Sequence, residues 1–506
     1  MTEFELKFEV SPANLKGVAA AIEHGKVTRQ RLQASYFDTP EGVLAAHGLV
    51  VRLRKEGRRW VQTAKGPTAD LLERLEHNAA VPPQGKGSVP TLDLSRHRGT
   101  PVGDAISKAL GLNNEASYPN LQLLYGTDIQ RITTRIAFNG SVVEVALDQG
   151  RVFADGLTQP ESQAICELEF ELIEGEPLQT VTLARQWRAE HGLWLSTIAK
   201  SMKGQRLQQA VPCGAATSAV GPTYAQDASA NEMLTAVIAA CLSQMLPNMS
   251  ELADCSGSGS EQPDHIHQLR VGIRRLRTAL RELGELFESG SAIDPQWETA
   301  LVTAFRGLGA HRDQSNLVLV LQPQLVAAGG PAMRISAADG SQIASQDIVQ
   351  AAGFQDTLLG LLAFLHRNVL PPRNNAGSLK KTISRRLDKL HKRAMRDGKK
   401  FMNLKKEEQH GVRKRLKRLR YLIEFAEPLY AARKVNRMVT SLKPLQDALG
   451  LYNDELMALH AWQAMAGANA KAWFGMGWRT ARKQPNAKRC LKEIRAFADI
   501  KPFWRK

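Results

Sequence analysis

Cysteine is scarce and unpatterned in this chain. Of its 506 residues only Cys166, Cys213, Cys241, Cys255 and Cys490 are cysteines, and no two form a C-x-x-C pair. That excludes a disulfide framework and a structural zinc site, and it fits a reducing compartment. Long apolar runs are missing too: a stretch such as Leu317 to Leu321 is far short of the roughly 20 residues that span a bilayer. The first residues are charged and lack the basic-then-apolar order of a secretory signal, so a cytoplasmic protein with no membrane partner is expected. No G-x-x-x-x-G-K-S/T loop occurs, which removes the P-loop route to nucleotide hydrolysis. The isolated histidines His24, His47, His77, His97 and His191 share no metal-ligand spacing.

What the chain does have is charge in alternation. Glu3, Glu5 and Lys7 interleave with Phe4, Leu6 and Phe8, and in an extended strand successive side chains point to opposite faces. One face is therefore apolar and the other charged. A half-buried strand with a solvated outer face would explain one such segment, but the pattern recurs. Arg52 and Arg54 flank Leu53, Arg74 and Glu76 flank Leu75, and Arg131, Thr133 and Arg135 alternate with Ile132 and Thr134. Glu144 and Asp148 follow among Val143, Val145 and Leu147, and Glu167, Glu169 and Glu171 alternate with Leu168, Phe170 and Leu172. Arginine gathers on some strands and carboxylates on others, unlike the mixed polar faces that water usually receives. If these faces line a closed antiparallel barrel, the carboxylates can hold divalent cations while Arg and Lys grip a polyanion.

The net charge of +17 belongs to one half of the chain. Residues 1–210 carry 24 basic and 24 acidic side chains, whereas the remainder carries 43 and 26. A neutral half with sorted charges reads as a site; a strongly basic half reads as a surface for a polyanion. Up to residue 204 the pattern is short strands with helices such as Pro12 to Glu23 and Leu178 to His191. Residues 205–228, rich in Ala, Ser, Gly, Thr and Pro, read as a linker. From 229 to 500 helical periodicity dominates, as in Asn231 to Leu246, Pro263 to Phe287, Leu379 to Met395 and Gln409 to Phe425. The expected class is α+β, with a strand-rich first domain and an all-α second one.

The helical half contains a duplication. His267 to Arg277 and His410 to Arg420 share the pattern H-x-x-R-x-x-x-R/K-R-L-R. Downstream, Leu308 to Asp313 matches Leu449 to Asp454, and the separations from His to Asp are 46 and 44 residues. Such spacing argues for a repeated unit related by pseudo-twofold symmetry and facing one cleft. His267, Arg270, Arg274 and Arg277 fall on one helical face, as do His410, Arg413, Lys417 and Arg420. Asp313 is expected to orient these rows. Stacked cations repel, so an anion spanning both rows would relieve them. Between Lys380 and Arg420 there are eighteen basic residues, four acidic ones and, of Phe, Tyr and Trp, only Phe401. Readers of single-stranded nucleic acid interleave exposed aromatics, so this composition disfavours nucleic acid.

The ordered set Glu3-x-Glu5-x-Lys7, Arg52-x-Arg54, Lys65 before Gly66, Arg74-x-Glu76 and Glu167-x-Glu169-x-Glu171 resembles the CYTH domain of the triphosphate tunnel metalloenzymes, over about residues 1–204. The duplicated H-x-x-R rows resemble the CHAD domain, a module associated with inorganic polyphosphate, over about 229–500. The order of the two is similar to that of bacterial inorganic triphosphatases. The resemblance implies an eight-stranded antiparallel tunnel with flanking helices, hydrolysing inorganic triphosphate with Mg²⁺ or Mn²⁺, and a C-terminal bundle binding polyphosphate. It implies that Lys7, Arg52, Arg54, Lys65 and Arg131 or Arg135 contact phosphate, and that Glu3, Glu5, Asp148, Glu167 and Glu169 hold metal or orient water. Glu171 is an alternative to Glu167. Lys200 stands for the family's late lysine with Lys203 as competitor, and Glu5, Glu169 and Lys200 are the catalytic candidates. Adenylate cyclase and thiamine triphosphatase share the tunnel, and a non-catalytic polyphosphate-binding scaffold is the rival of a different class.

Overall fold

In a computed structural model, residues 2–82, 90–112, 118–154, 161–254, 262–286, 293–333, 343–367 and 376–505 are described; Cys255 lies outside them. The protein divides into two compact units that are not contiguous in sequence. The first comprises Met1–Ala216, Met249–Ser260 and Gln350–Arg367, and the second Thr217–Asn248, Glu261–Val349 and Asn368–Lys506.

The first unit is built on β1 (Thr2–Glu9), β2 (Thr28–Asp38), β3 (Val50–Glu56), β4 (Arg59–Pro67), β5 (Glu73–Val81), β6 (Gln122–Phe138), β7 (Ser141–Ala154) and β8 (Ser162–Glu174). Neighbours pair antiparallel in the order β5-β4-β3-β2-β6-β7-β8-β1, and β1 closes the ring by pairing with β5. Thr2 to Phe4 of β1 lie against β5 while Glu5 to Glu9 lie against β8, so one strand seals both edges. Closure leaves no free edge among these strands and gives every strand an inner and an outer face. A two-residue strand β9 (Trp194–Leu195) adds to β1 outside the ring. The β6–β7 hairpin turns through Asn139 and Gly140, both at positive φ (47° and 78°), the backbone that a two-residue turn between twisted strands requires.

The outer face is apolar and covered by helices α1 (Leu15–Glu23), α2 (Val43–Ala46), α3 (Pro101–Ala109) and α4 (Pro177–His191). Phe4, Leu6, Phe8, Leu168 and Phe170 are buried there, and Leu49, Val51 and Ala64 pack with Val102 and Ile106 of α3. Helix α4 follows the capping rules, with Pro177 in its first turn and Gly192, at φ 61°, just past its end. A further helix, α5 (Lys200–Gln208), meets the inner face at one end of β2 and β6, where Leu207 joins a cluster containing Leu32, Tyr36, Tyr125 and Ile129.

The remaining helices are α6 (Ala230–Asp254), α7 (Pro263–Leu283), α8 (Pro295–Asn316), α9 (Gln322–Ala327), α10 (Ser345–Gln350), α11 (Ala352–Leu365), α12 (Ala376–Gly398), α13 (Lys406–Phe425), α14 (Ala432–Met465) and α15 (Ala472–Ala498). The last turn of α6 and all of α11 belong to the barrel unit; α7, α8, α9, α12, α13, α14 and α15 belong to the second. By length and composition α6 is apolar enough to cross a membrane, which the sequence reading did not anticipate. Its most apolar stretch is 72% buried inside the protein, as expected for a core helix. Among the described residues no other helix passes that test.

Candidate functional site

The inward faces of the barrel carry the charges. Lys65 on β4 pairs with Glu3 on β1 at 2.5 Å and with Glu76 on β5 at 2.7 Å. Arg131 on β6 grips Asp148 on β7 through two hydrogen bonds of 2.6 Å and also pairs with Glu169 on β8. Lys7 lies 2.8 Å from Glu167, off the line of a good hydrogen bond. Lys200, the first residue of α5, sits 2.8 Å from Asp148, 2.6 Å from Glu169 and 3.2 Å from Glu167. Arg131 also feels Glu5, three strands away around the ring, and Glu169 feels Lys65. Groups on non-adjacent strands interact this way only across a shared lumen, which is the arrangement the alternation predicts.

Burial makes these interactions strong. Asp148 and Glu167 have no solvent-exposed side-chain surface, and Lys200 is 10% exposed. Burial alone would raise Glu169, but Lys200 and then Arg131 overcome it and hold the carboxylate well below its usual range. Glu167 is likewise taken down to about 2 against its burial, mainly by Lys200 and then Lys7. Burial opposes the charge of Lys200 as well, yet Asp148, Glu167 and Glu169 push its ammonium well above the ordinary lysine range.

Other carboxylates are less well compensated. Burial and a hydrogen bond to Glu76 raise Glu3 to about 9, although Lys65 works against them. Burial and then the charge of Glu5 raise Glu171 to about 7. Glu5 itself has no ion-pair partner among the described residues. No ready-made group of three or more metal-ligating side chains exists among the described residues. Of the five expected ligands, Glu3, Asp148, Glu167 and Glu169 are engaged with lysine or arginine, leaving Glu5. Oxygen donors crowded at Glu5 and Glu171, whose charge Lys65 offsets without pairing with either among the described residues, do fit a hard divalent ion.

The cations expected to contact phosphate are not equivalent. Among the described residues Arg52 hydrogen-bonds only the Tyr36 hydroxyl, at 3.5 Å, and its Nε finds no acceptor. Arg54, paired with Glu56 at 2.6 Å, is pushed down to about 10 by burial and then by Arg52. Arg131 and Arg135 share a face, as expected, but at different depths: Arg131 is 21% exposed and Arg135 is 63% exposed, bonded to Glu144 at 3.1 Å. Lys200 and Lys203 separate similarly, Lys203 bonding Glu9 at 2.7 Å instead of the central carboxylates. At the end of the barrel away from α5 a cavity of about 470 Å³ opens, lined by Thr28, Gln30, Arg54, Arg131, Arg135 and Glu144 among others, none of them aromatic. Glu76 and Tyr36 were missed as candidates; for Glu76 the Arg74-x-Glu76 alternation carried the signal, whereas Arg74 itself is exposed.

In the second unit the duplicated rows meet. His267 on α7 accepts a long hydrogen bond from Arg312 (3.4 Å), and His410 on α13 contacts Asn453 at 3.2 Å. Arg312 and Asn453 occupy matching positions in the two repeats, so the duplication is also structural. Asp313 counters the burial of Arg270, and Asp454 that of Arg413, again at matching positions. Lys417 is pushed down to about 6 by burial and then by Arg274, Arg413 and Arg312. The Nε atoms of Arg274 and Arg413 are buried without an acceptor among the described residues. The last members of the rows turn to other partners: Arg277 bonds Glu298 at 3.0 Å, and Arg420 bonds Glu424 at 2.6 Å and Gln446 at 2.8 Å.

Comparison with known proteins agrees with this two-part organisation. Residues 1–203 match the CYTH domain and residues 236–463 the CHAD domain. Over 216 residues the chain is 26% identical to an inorganic triphosphatase of Haemophilus influenzae, across 41% of this chain and 55% of that protein. The chain thus spans about half the length of the curated relative it matches. Among solved structures, a CHAD domain from the plant Ricinus communis is 22% identical with a TM-score of 0.42, covering 57% of this chain and 98% of that one. A Hippeastrum protein named as an adenylyl cyclase, with a dominant triphosphatase activity, is 18% identical with a TM-score of 0.31, covering 41% and 96%.

Proposed function

For a chain that carries a CYTH domain followed by a CHAD domain, we propose metal-dependent hydrolysis of inorganic triphosphate to diphosphate and phosphate in the barrel, with polyphosphate bound by the helical unit. The observation that carries this reading is the convergence of Arg52, Arg131, Lys65 and Lys200 from different elements on one lumen that also holds Glu5. A triphosphate repels an attacking water, so its oxygens must be neutralised before the terminal phosphorus can be reached. Arg52, with an idle Nε, and Arg131 are placed to take phosphate oxygens, and Arg54 extends the cationic path towards the mouth. Glu169 stays ionised and keeps Lys200 and Arg131 in place. Glu5, which has no direct ion pair among the described residues although Lys65 and Arg131 act on it at a distance, is the carboxylate available to orient water or take its proton. A divalent cation such as Mg²⁺ or Mn²⁺, held by Glu5 and Glu171, would supply further positive charge to the phosphoryl oxygens.

A mouth with no aromatic ring among its described lining residues offers no platform there for a purine or thiazolium, which favours the inorganic substrate over ATP or thiamine triphosphate. In the helical unit Arg274 and Arg413 form a cationic nest that holds Lys417 largely uncharged, and a chain of phosphates would relieve their repulsion and restore its charge. The test is a panel of tripolyphosphate, ATP, thiamine triphosphate and long-chain polyphosphate with the wild type and Glu5→Gln. Phosphate release from tripolyphosphate that the substitution abolishes without lowering the melting temperature is the expected result. Equal release by the variant would overturn the role given to Glu5, and no release by the wild type would leave a binding scaffold.

A further inference from the structure

The segment that carries Lys200 is fastened by residues outside the CYTH match. Just before α5, the Thr197 amide donates to Ser250 Oγ at 2.9 Å, and its hydroxyl donates to the same oxygen at 3.2 Å. Near the end of α5, Arg206 donates to Asp254 Oδ2 at 3.2 Å and pairs with Glu251. The other oxygen of Glu251 accepts the Gly214 amide at 3.2 Å. Ser250 and Asp254 are one helical turn apart, so the last turn of α6 holds α5 at both ends. Ser250, Glu251 and Arg206 are 1%, 3% and 6% exposed, so water does not substitute readily for these contacts. One strand earlier, the Leu195 amide donates to Gln355 Oε1 at 2.8 Å.

Lys200 is the first residue of α5, and its ammonium reaches three carboxylates that lie on two other strands. Its depth in the lumen is therefore set by where α5 begins, which the Thr197 and Arg206 contacts fix. Resting on the triphosphatase reading of the tunnel, we propose that the last turn of α6, through Ser250, Glu251 and Asp254, positions Lys200 for turnover. Part of the support of the tunnel then comes from residues inside the CHAD match.

The test uses the full chain and three variants. Ser250→Ala and Glu251→Gln remove an acceptor and a charge, and Ser250→Thr keeps the hydroxyl. Tripolyphosphate turnover is measured together with amide hydrogen exchange of residues 196–208 and 141–154. The first two variants are expected to lose about tenfold in kcat with KM changed less than about twofold, because the arginines that hold the phosphates are not moved. Exchange should quicken in 196–208 and stay unchanged in 141–154, and Ser250→Thr should restore both readouts. Wild-type kcat in Ser250→Ala and Glu251→Gln would overturn the proposal. So would quickened exchange throughout the barrel with no rescue by threonine, since that marks a merely structural contact. If the wild type hydrolyses no triphosphate, the functional reading fails separately; exchange confined to 196–208 then still upholds the positioning, and unchanged exchange there refutes it.

Discussion

Lys200→Met should destabilise the barrel at neutral pH and do so less as the pH falls. With Lys200 present, three carboxylates (Asp148, Glu167 and Glu169) face three cations (Lys200, Arg131 and Lys7). Methionine keeps most of the volume but leaves one buried negative charge without its main compensating cation. The variant can relieve that charge by binding a proton, which for a carboxyl with an ordinary value of 4.5 costs about 3 kcal/mol at pH 7. The loss should therefore be about 3 kcal/mol at pH 7 and shrink by about 1.4 kcal/mol per pH unit towards pH 5. In the wild type the sign is opposite. Its depressed carboxylates, Glu167 and Glu169, contribute stability that is complete above about 4.5 and is lost only as pH falls towards about 2, the folded value of Glu167. Urea titrations read by hydrogen exchange of residues 141–154 and 162–174 would isolate the barrel from the helical unit. A loss of the same size at pH 5 and pH 7 would show that packing, not charge, was removed and would refute the reasoning.

Three further outcomes follow from the same geometry. Arg131→Gln should lower kcat/KM for tripolyphosphate by at least about 100-fold and the exposed Arg135→Gln by less than about threefold, since only the former sits among buried partners. Buried His97, bonded to Gln62 and His77 at 2.9 Å, is held down to about 4 by burial and then by His77. Its neutral form contributes stability that is full above about pH 6.5 and lost as pH falls towards 4, about 3 kcal/mol in all, and His97→Gln should flatten that part of a pH–stability curve. Polyphosphate binding should recharge Lys417, so calorimetry at about pH 7.5 in two buffers of different ionisation enthalpy should report uptake of about one proton, absent in Lys417→Met.

Some of this organisation is local and was therefore readable along the chain. The alternation at Glu3-x-Glu5-x-Lys7 and Glu167-x-Glu169 fixes which side chains share a face, because a strand's period is two whatever it pairs with. The H-x-x-R rows fix a helical face and a duplication for the same reason. Depth and partnership are not local. Arg131 and Arg135 are indistinguishable by parity, and the register of β6 with β7, and of β7 with β8 beyond it, puts one beside Asp148 and Glu169 and the other at the mouth. The expected metal ligands Asp148, Glu167 and Glu169 turn to Lys200, Arg131 and Lys7 because α5, the β6–β7 register and the β1–β8 pairing bring those cations within bonding distance. Lys200 and Lys203 lie three residues apart on one helix, yet one meets the central carboxylates and the other Glu9. The linker reading likewise could not show that residues 249–254 and 350–367 return to the barrel unit. Backbone periodicity decides faces from the sequence alone, whereas the neighbours of a buried charge depend on which distant strands and helices the closed fold brings together.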